Sequence, residues 1–124
     1  YEDIIKRVSE SLQPFNIIEH EVLGFDHAEM GGLLAKKWNL PEFLIEAIRY
    51  HHNPEKSELL SPSVVNVGDG IALMMGYGLG IDGLMYQISE EALAKFGLAK
   101  EEALEEFISY ADRSLTAAYQ FFEL

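Results

Sequence analysis

Cysteine is absent from this chain of 124 residues. Its absence excludes disulfide bonds, thiolate metal ligands and cysteine nucleophiles. Basic side chains are scarce, with nine lysines and arginines against twenty-one acidic residues and a formal net charge of −12. Since binding to nucleic acid and to anionic lipid depends on basic side chains that neutralise phosphate, we expect neither a nucleic-acid partner nor a membrane partner.

Long apolar runs are also missing, because charges or glycines interrupt every apolar stretch well short of the roughly 20 residues that span a bilayer. No signal peptide is visible, so the cytoplasm is the expected compartment. The composition, 48% hydrophobic and 24% charged, is typical of one folded domain. Because the first residue is Tyr1 and not methionine, we expect the chain to be a piece of a longer protein.

Apolar residues recur at helical spacing throughout, and no segment shows a convincing strand alternation. This pattern predicts an all-α fold, a bundle of about six to seven helices. The predicted helices cover about residues 4–12, 16–23, 26–38, 41–50, 61–75, 89–97 and 99–122.

Local signals specify several helix ends. Gly24 is typical of a left-handed C-cap. Asp26 followed three residues later by Glu29 predicts a capping box at the start of the next helix. Gly31 and Gly32 lie inside that helix, where two glycines cost about 1–2 kcal/mol relative to alanine. We therefore expect another element to pack very close to the backbone at this point.

The remaining apolar positions suggest what lies inside. Trp38, Met74 and Met75 are predicted core residues. The last helix is predicted to turn one face inward: Leu104, Phe107, Ile108, Ala111, Leu115, Ala118, Tyr119 and Phe122. Tyr110 and Phe121 add more aromatic surface than one inward-facing side of the helix can bury. A homodimer interface is therefore an alternative role for this helix.

Four ionisable residues fall where the pattern predicts an interior: His27, His51, His52 and Asp69. Imidazole and carboxylate groups from three helices suit a divalent transition metal. Such a metal could generate a hydroxide nucleophile and hold a phosphate. The same residues could instead form a buried Asp–His hydrogen-bond network that fixes helix packing without metal. The spacing alone leaves both readings open.

Three linked motifs resemble the HDOD family. They are residues 24–31 (GFDHAEMG), 38–41 (WNLP) and 48–54 (IRYHHNP), preceded by an acidic residue at position 19 or 21 and followed by the helix of residues 64–69. The resemblance covers about residues 15–75. It implies that residues 1–124 are the later, C-terminal part of an HDOD-like helical domain whose upstream helices are missing.

HDOD domains are helical bundles related to the HD superfamily of metal phosphohydrolases. They occur in bacterial signalling proteins, often attached to receiver, GGDEF or other regulatory modules, and are regarded as output domains without demonstrated catalysis. The resemblance therefore implies a response-regulator type of signal-transduction output domain that has no catalytic residues and no cofactor. Its expected partner is a protein or an attached receiver or regulatory domain.

The catalytic HD-GYP relatives suggest the alternative of a metal-dependent phosphohydrolase acting on a cyclic dinucleotide or a nucleotide. In that comparison His27 resembles the histidine that follows the HD motif, His51 and His52 resemble the paired histidines, and Asp69 resembles the last aspartate ligand. The metal would be divalent iron, manganese or zinc. Two departures count against this alternative: the upstream His and His-Asp doublet have no counterpart, and Asn53-Pro54 stands in place of the Gly-Tyr-Pro segment.

Overall fold

The computed structural model describes residues 2–11, 13–78 and 86–122. Within these ranges it contains seven α-helices, one short 3₁₀ helix and no strand, which confirms the all-α prediction. The α-helices are α1 Glu2–Ser11, α2 Phe15–Leu23, α3 His27–Lys37, α4 Glu42–Tyr50, α5 Ser61–Met74, α6 Glu90–Lys95 and α7 Glu101–Phe122, and the 3₁₀ helix is Pro54–Lys56. Leu12 and the end of the loop predicted after α5 lie outside the described residues.

The predicted ends of α2 and α3 are confirmed. Gly24 ends α2 in the left-handed conformation, with φ of 79°. At the start of α3 the Asp26 side chain accepts a hydrogen bond of 2.8 Å from the backbone N–H of Glu29. The Glu29 carboxylate in turn accepts one of 3.2 Å from the backbone N–H of Asp26. This capping box makes His27 the first residue of α3.

The two glycines of α3 allow α4 to approach closely, as predicted. A Cβ atom on Gly31 would lie 2.8 Å from Cγ2 of Ile48, and one on Gly32 would lie 2.7 Å from Cβ of Arg49. Both distances are shorter than side chains tolerate, so only glycine fits at this contact. The close approach brings the start of α3 beside the residues that follow α4.

Two apolar clusters join five of the seven helices. The first consists of Ile4, Val8 and Ile18, with Phe15 packed against it, and joins α1 to α2. The second joins α5, α6 and the start of α7. Its buried members are Val67, Ile71 and Ala92, and its partly buried ones are Met75, Ile88, Leu93, Leu98, Leu104 and Ile108.

Part of the predicted core is wrong. Trp38 is 64% exposed and Met74 is 59% exposed. The reason is that α4 packs on the glycine face of α3, where the backbones come closest, while Trp38 lies past the last turn of α3. Met75, by contrast, packs against the second cluster as predicted.

The predicted inner face of α7 is also wrong over most of its length. Leu104 and Ile108 pack against the second cluster, but no described residue of α7 is fully buried. Every residue from position 112 to position 122 is exposed. Only the first turns of α7 reach the bundle, so the pattern of its later turns needs another explanation. None of the described helices is both long and apolar enough to cross a membrane.

Candidate functional site: a histidine-lined cavity

Three histidines converge at the junction of α3 and α4. His27 begins α3, and His51 and His52 follow the last turn of α4. One potential ligand atom of each ring lies within 4.8 Å of the others. The ring centroids of His51 and His52 are 4.0 Å apart, and those of His27 and His52 are 4.8 Å apart.

Glu19 of α2 orients His27. Its carboxylate is buried, and one oxygen lies 2.5 Å from Nδ1 of His27 and accepts a 3.0 Å hydrogen bond from the backbone N–H of the same residue. Because the carboxylate takes the Nδ1 hydrogen, the Nε2 atom of His27 is directed away from α2. That Nε2 atom lies 2.9 Å from Nε2 of His52.

The other two rings are also constrained. Nδ1 of His51 donates a hydrogen bond of 2.8 Å to the carbonyl oxygen of Ile48, which leaves its Nε2 atom available. Burial, and then the positive charge that His51 and His27 can carry, lower the pKa of His52 to about 3. His52 is therefore neutral at physiological pH. Both possible roles, metal ligand and member of a hydrogen-bond network, require a neutral ring.

The three histidines line a cavity of about 460 Å³ together with Phe15, Tyr77, Tyr86 and Asp69, among other residues. Asp69 of α5 and His27 are exposed, in contrast to the interior positions predicted for them, and His51 and His52 are half-buried. Asp69 also lies outside the group of ligand atoms that the histidines form. Burial and the negative charge of Asp69 raise the pKa of the Tyr86 hydroxyl.

Asn66, which the sequence pattern did not single out, is fully buried in α5. Its side-chain N–H donates a hydrogen bond of 2.8 Å to the carbonyl oxygen of His51, and its Oδ1 accepts one of 2.8 Å from the backbone N–H of Ser89. The Tyr86 hydroxyl donates to the Asn66 carbonyl oxygen at 3.1 Å. An asparagine inside the apolar stretch of residues 64–67 was the available signal, because a buried amide needs such partners.

The donor set fits a single divalent metal. Two imidazole nitrogens bound to one tetrahedral zinc lie roughly 3.3 Å apart. The 2.9 Å between Nε2 of His27 and Nε2 of His52 would therefore widen slightly, and the longer separations within the group, at most 4.8 Å, would close. Two of the rings have their second nitrogen held by Glu19 or by Ile48, as the outer partners of metal-binding histidines usually do. A metal held here would polarise a bound water and leave a position open for an anionic ligand.

Comparison with known proteins finds a family match for the part of the chain that carries the histidines. A family model described as the HDOD domain matches residues 1–54. These residues are similar to the HDOD family. The HDOD segment contains α1 to α4 and all three histidines of the site, whereas Asn66 and Asp69 lie beyond it. The match thus begins and ends earlier than the resemblance over residues 15–75.

An uncharacterized protein of Treponema pallidum (strain Nichols) is 40% identical to this chain over 55 residues. The aligned region is 44% of this chain and 11% of that protein, so the shared part is a small portion of the relative. No solved structure matches the chain.

Proposed function

We propose that this chain is part of a regulatory module of HDOD type in bacterial signal transduction. It acts without catalysis, through contacts with a protein partner or with an attached receiver or other regulatory domain. One observation carries the proposal: a network of contacts runs from Glu19 on α2 through the three histidines to Asn66 on α5 and on to the start of α6. Hydrogen bonds link Glu19, His27 and His52, a ring contact links His52 to His51, and hydrogen bonds of Asn66 complete it.

The network joins the HDOD segment to the helices that follow it. His51 and His52 occupy the short connection after α4, and the carbonyl oxygen of His51 is held by Asn66. Asn66 also holds the backbone of Ser89, the N-cap of α6. Because the buried Asn66 has few arrangements that satisfy its hydrogen bonds, a ligand or partner that moves the histidines favours a discrete rearrangement of α5 and α6.

Hydrogen exchange tests this coupling. In a His52→Ala variant we expect amides of α5 and α6 to exchange about tenfold faster than in the wild type, because the network loses a member that links the helices. The matched control is His20→Ala, since the side chain of His20 is 57% exposed and lies outside the network. Faster exchange confined to residues 27–54 would contradict the proposal, and so would hydrolysis of a cyclic dinucleotide by the wild type in the presence of Mn²⁺ or Fe²⁺.

A second candidate function is binding of one divalent metal by His27, His51 and His52. The convergence of three ligand atoms within 4.8 Å and the two oriented rings favour it. Bound metal would supply an activated water, which is the chemistry of the phosphohydrolase alternative. Asp69 would then face the ligand from α5 rather than coordinate the metal.

Calorimetric titration with Zn²⁺ or Mn²⁺ tests the metal site. We expect about one equivalent per chain, at least a tenfold loss of affinity in His27→Ala, and no change in His20→Ala. Equal binding by the His27 variant would rule out the site. Metal binding without turnover of a phosphodiester would leave the regulatory proposal in place, and metal binding with turnover would replace it by the phosphohydrolase.

A further inference from the structure

The final helix carries an apolar surface that the bundle does not cover. Tyr110 is 61% exposed, Phe121 is 81% exposed and Phe122 is 66% exposed. Eleven consecutive residues, 112–122, are all exposed. A helical extension of this length is marginal by itself in water, so its stability calls for a partner surface.

The pattern on this helix is that of a helix pair. Leu104 and Ile108 begin one stripe, which faces the bundle. A second stripe, here called the outer stripe, repeats at alternating intervals of four and three residues. Its members within the described residues are Ala103, Phe107, Tyr110, Ser114, Ala117 and Phe121. This spacing is the heptad repeat of two helices that pack along their lengths.

The outer stripe is complementary to itself when a second copy runs in the opposite direction. In an antiparallel pair the two alternating heptad positions face each other. Centred on residue 112, the outer stripe then pairs Phe107 with Ala117 and Tyr110 with Ser114, and it also pairs Phe121 with Ala103. Each layer thus combines one aromatic ring with one small side chain. In a parallel pair the same positions would place ring against ring and leave gaps at the small residues.

The charges of α7 favour the same direction. Four glutamates, at positions 101, 102, 105 and 106, stand in its first turns, whereas residues 114–122 carry no charge. An antiparallel pair places each acidic end beside the uncharged end of the other copy. A parallel pair would bring eight carboxylates together, which costs free energy through repulsion between like charges.

The area of the outer stripe suits a weak, reversible dimer. A fully exposed aromatic side chain offers roughly 150–250 Å², so the exposed fractions of Phe107, Tyr110 and Phe121 leave roughly 350 Å² uncovered per chain. Two copies supply roughly 700 Å² from these rings, which lies in the range of transient complexes, below about 1,200 Å².

We propose that α7 is a dimerisation helix, and that its outer stripe packs antiparallel against the outer stripe of a second copy of this chain. The interface is isologous, with the two-fold axis beside residue 112. The outer stripe of the later turns, where every residue from 112 to 122 is exposed, is thereby buried between the two copies.

A size swap between the facing positions tests both the partner and the direction. Sedimentation velocity of the 124-residue chain should show a dimer at micromolar concentration. Ala117→Phe places two rings in one layer and Phe107→Ala leaves a void, so each single variant should raise the dimer dissociation constant at least tenfold. The double variant exchanges ring and small side chain within the same layer and should recover most of the affinity.

Thr116→Phe is the matched control, because residue 116 is exposed on the opposite side of α7 and should leave the dimer unchanged. A wild type that stays monomeric at 100 μM or more, or a double variant no better than the singles, would overturn the proposal. The first outcome would assign the face to a different partner, and the second would assign the pair a different register or direction.

The absence of cysteine permits an independent test that does not depend on the stability of the size variants. When equal amounts of Tyr110→Cys and Ser114→Cys chains are mixed and oxidised, the mixed disulfide should exceed the two self-linked products together, which random pairing does not produce. A mixture of Tyr110→Cys and Thr116→Cys should form little mixed product. Equal yields in the two mixtures would contradict the antiparallel register.

Discussion

Nε2 of His27 and Nε2 of His52 lie 2.9 Å apart, so one of the two nitrogens carries a hydrogen and donates it to the other. Coordination of one metal through the same two nitrogens would require that shared hydrogen to leave, whichever ring donates it. The hydrogen bond and a metal held by these two atoms therefore exclude each other.

The lowered pKa of His52 predicts a loss of stability in acid. In the folded chain this pKa is about 3, against 6.5 for an unperturbed histidine. As the pH falls below 6.5, the unfolded chain binds a proton that the folded chain excludes at this site, so the free energy of unfolding decreases. Between pH 7 and pH 5 the wild type should lose about 1 kcal/mol more than His52→Gln, after allowance for solvent screening.

Urea unfolding in the presence of a chelator measures this difference. His20→Gln serves as the control and should behave as the wild type does, because the side chain of His20 is largely exposed. If His52→Gln and the wild type lose the same free energy between the two pH values, the assigned pKa is wrong.

Glu19 should contribute much more to stability than Glu21. Glu19 is buried and accepts two hydrogen bonds from His27, so Glu19→Ala should lower the free energy of unfolding by about 2–3 kcal/mol at pH 7. Glu21 is half-exposed and lies 4.0 Å from Arg7, so Glu21→Ala should change it by less than about 0.5 kcal/mol. Chemical denaturation of both variants gives the comparison, and equal losses would refute the buried role of Glu19.

Two glycines of α5 should respond to alanine in opposite directions. A Cβ atom on Gly70 would overlap the Ile88 side chain, whereas one on Gly68 meets nothing within 4 Å. Gly70→Ala should therefore destabilise the fold by about 1–3 kcal/mol. Gly68→Ala should stabilise it by about 0.5–1 kcal/mol, because alanine favours the helix. Thermal unfolding of the two variants checks the signs; a stabilising Gly70→Ala would mean that Ile88 packs elsewhere.

Asn66 should be the most sensitive polar residue of α5. Asn66→Ala leaves the carbonyl oxygen of His51 and the N–H of Ser89 without their buried partner, so we expect a loss of about 2–4 kcal/mol. Asn53→Ala is the control, since the exposed Asn53 caps its 3₁₀ helix without a side-chain hydrogen bond. Denaturation midpoints measure both, and a loss below about 1 kcal/mol for Asn66→Ala would show that water replaces its contacts.

The helices were predictable because their signals are local. Gly24, the capping box of Asp26 and Glu29, and Ser89 at the start of α6 act within one helical turn. The need for close packing at Gly31 was predictable too, because glycine inside a helix costs free energy unless an approach requires it. The identity of the approaching residue, Ile48, was not.

The candidate site was predictable in part. His27, His51 and His52 were identified by their types and positions, and the structure brings them together. Asp69 was expected in the interior and is exposed, because the face of α5 that the core covers is the one with Val67 and Ile71. Asn66 was not predicted because asparagine is common on protein surfaces. Only the tertiary structure brings His51 and Ser89 close enough for Asn66 to hydrogen-bond to both.

By itself, the sequence determined the helical class, the helix ends, the three histidines and the heptad spacing of the outer stripe, since each depends on residues a few positions apart. Only the tertiary structure decided that Glu19 orients His27, that Trp38 is exposed and that the later turns of α7 lie outside the bundle. These outcomes depend on which helix faces meet. Which faces meet depends on the shapes of helix surfaces that are distant in sequence. The glycines of α3 allow α4 to approach more closely than the larger side chains of α3 would.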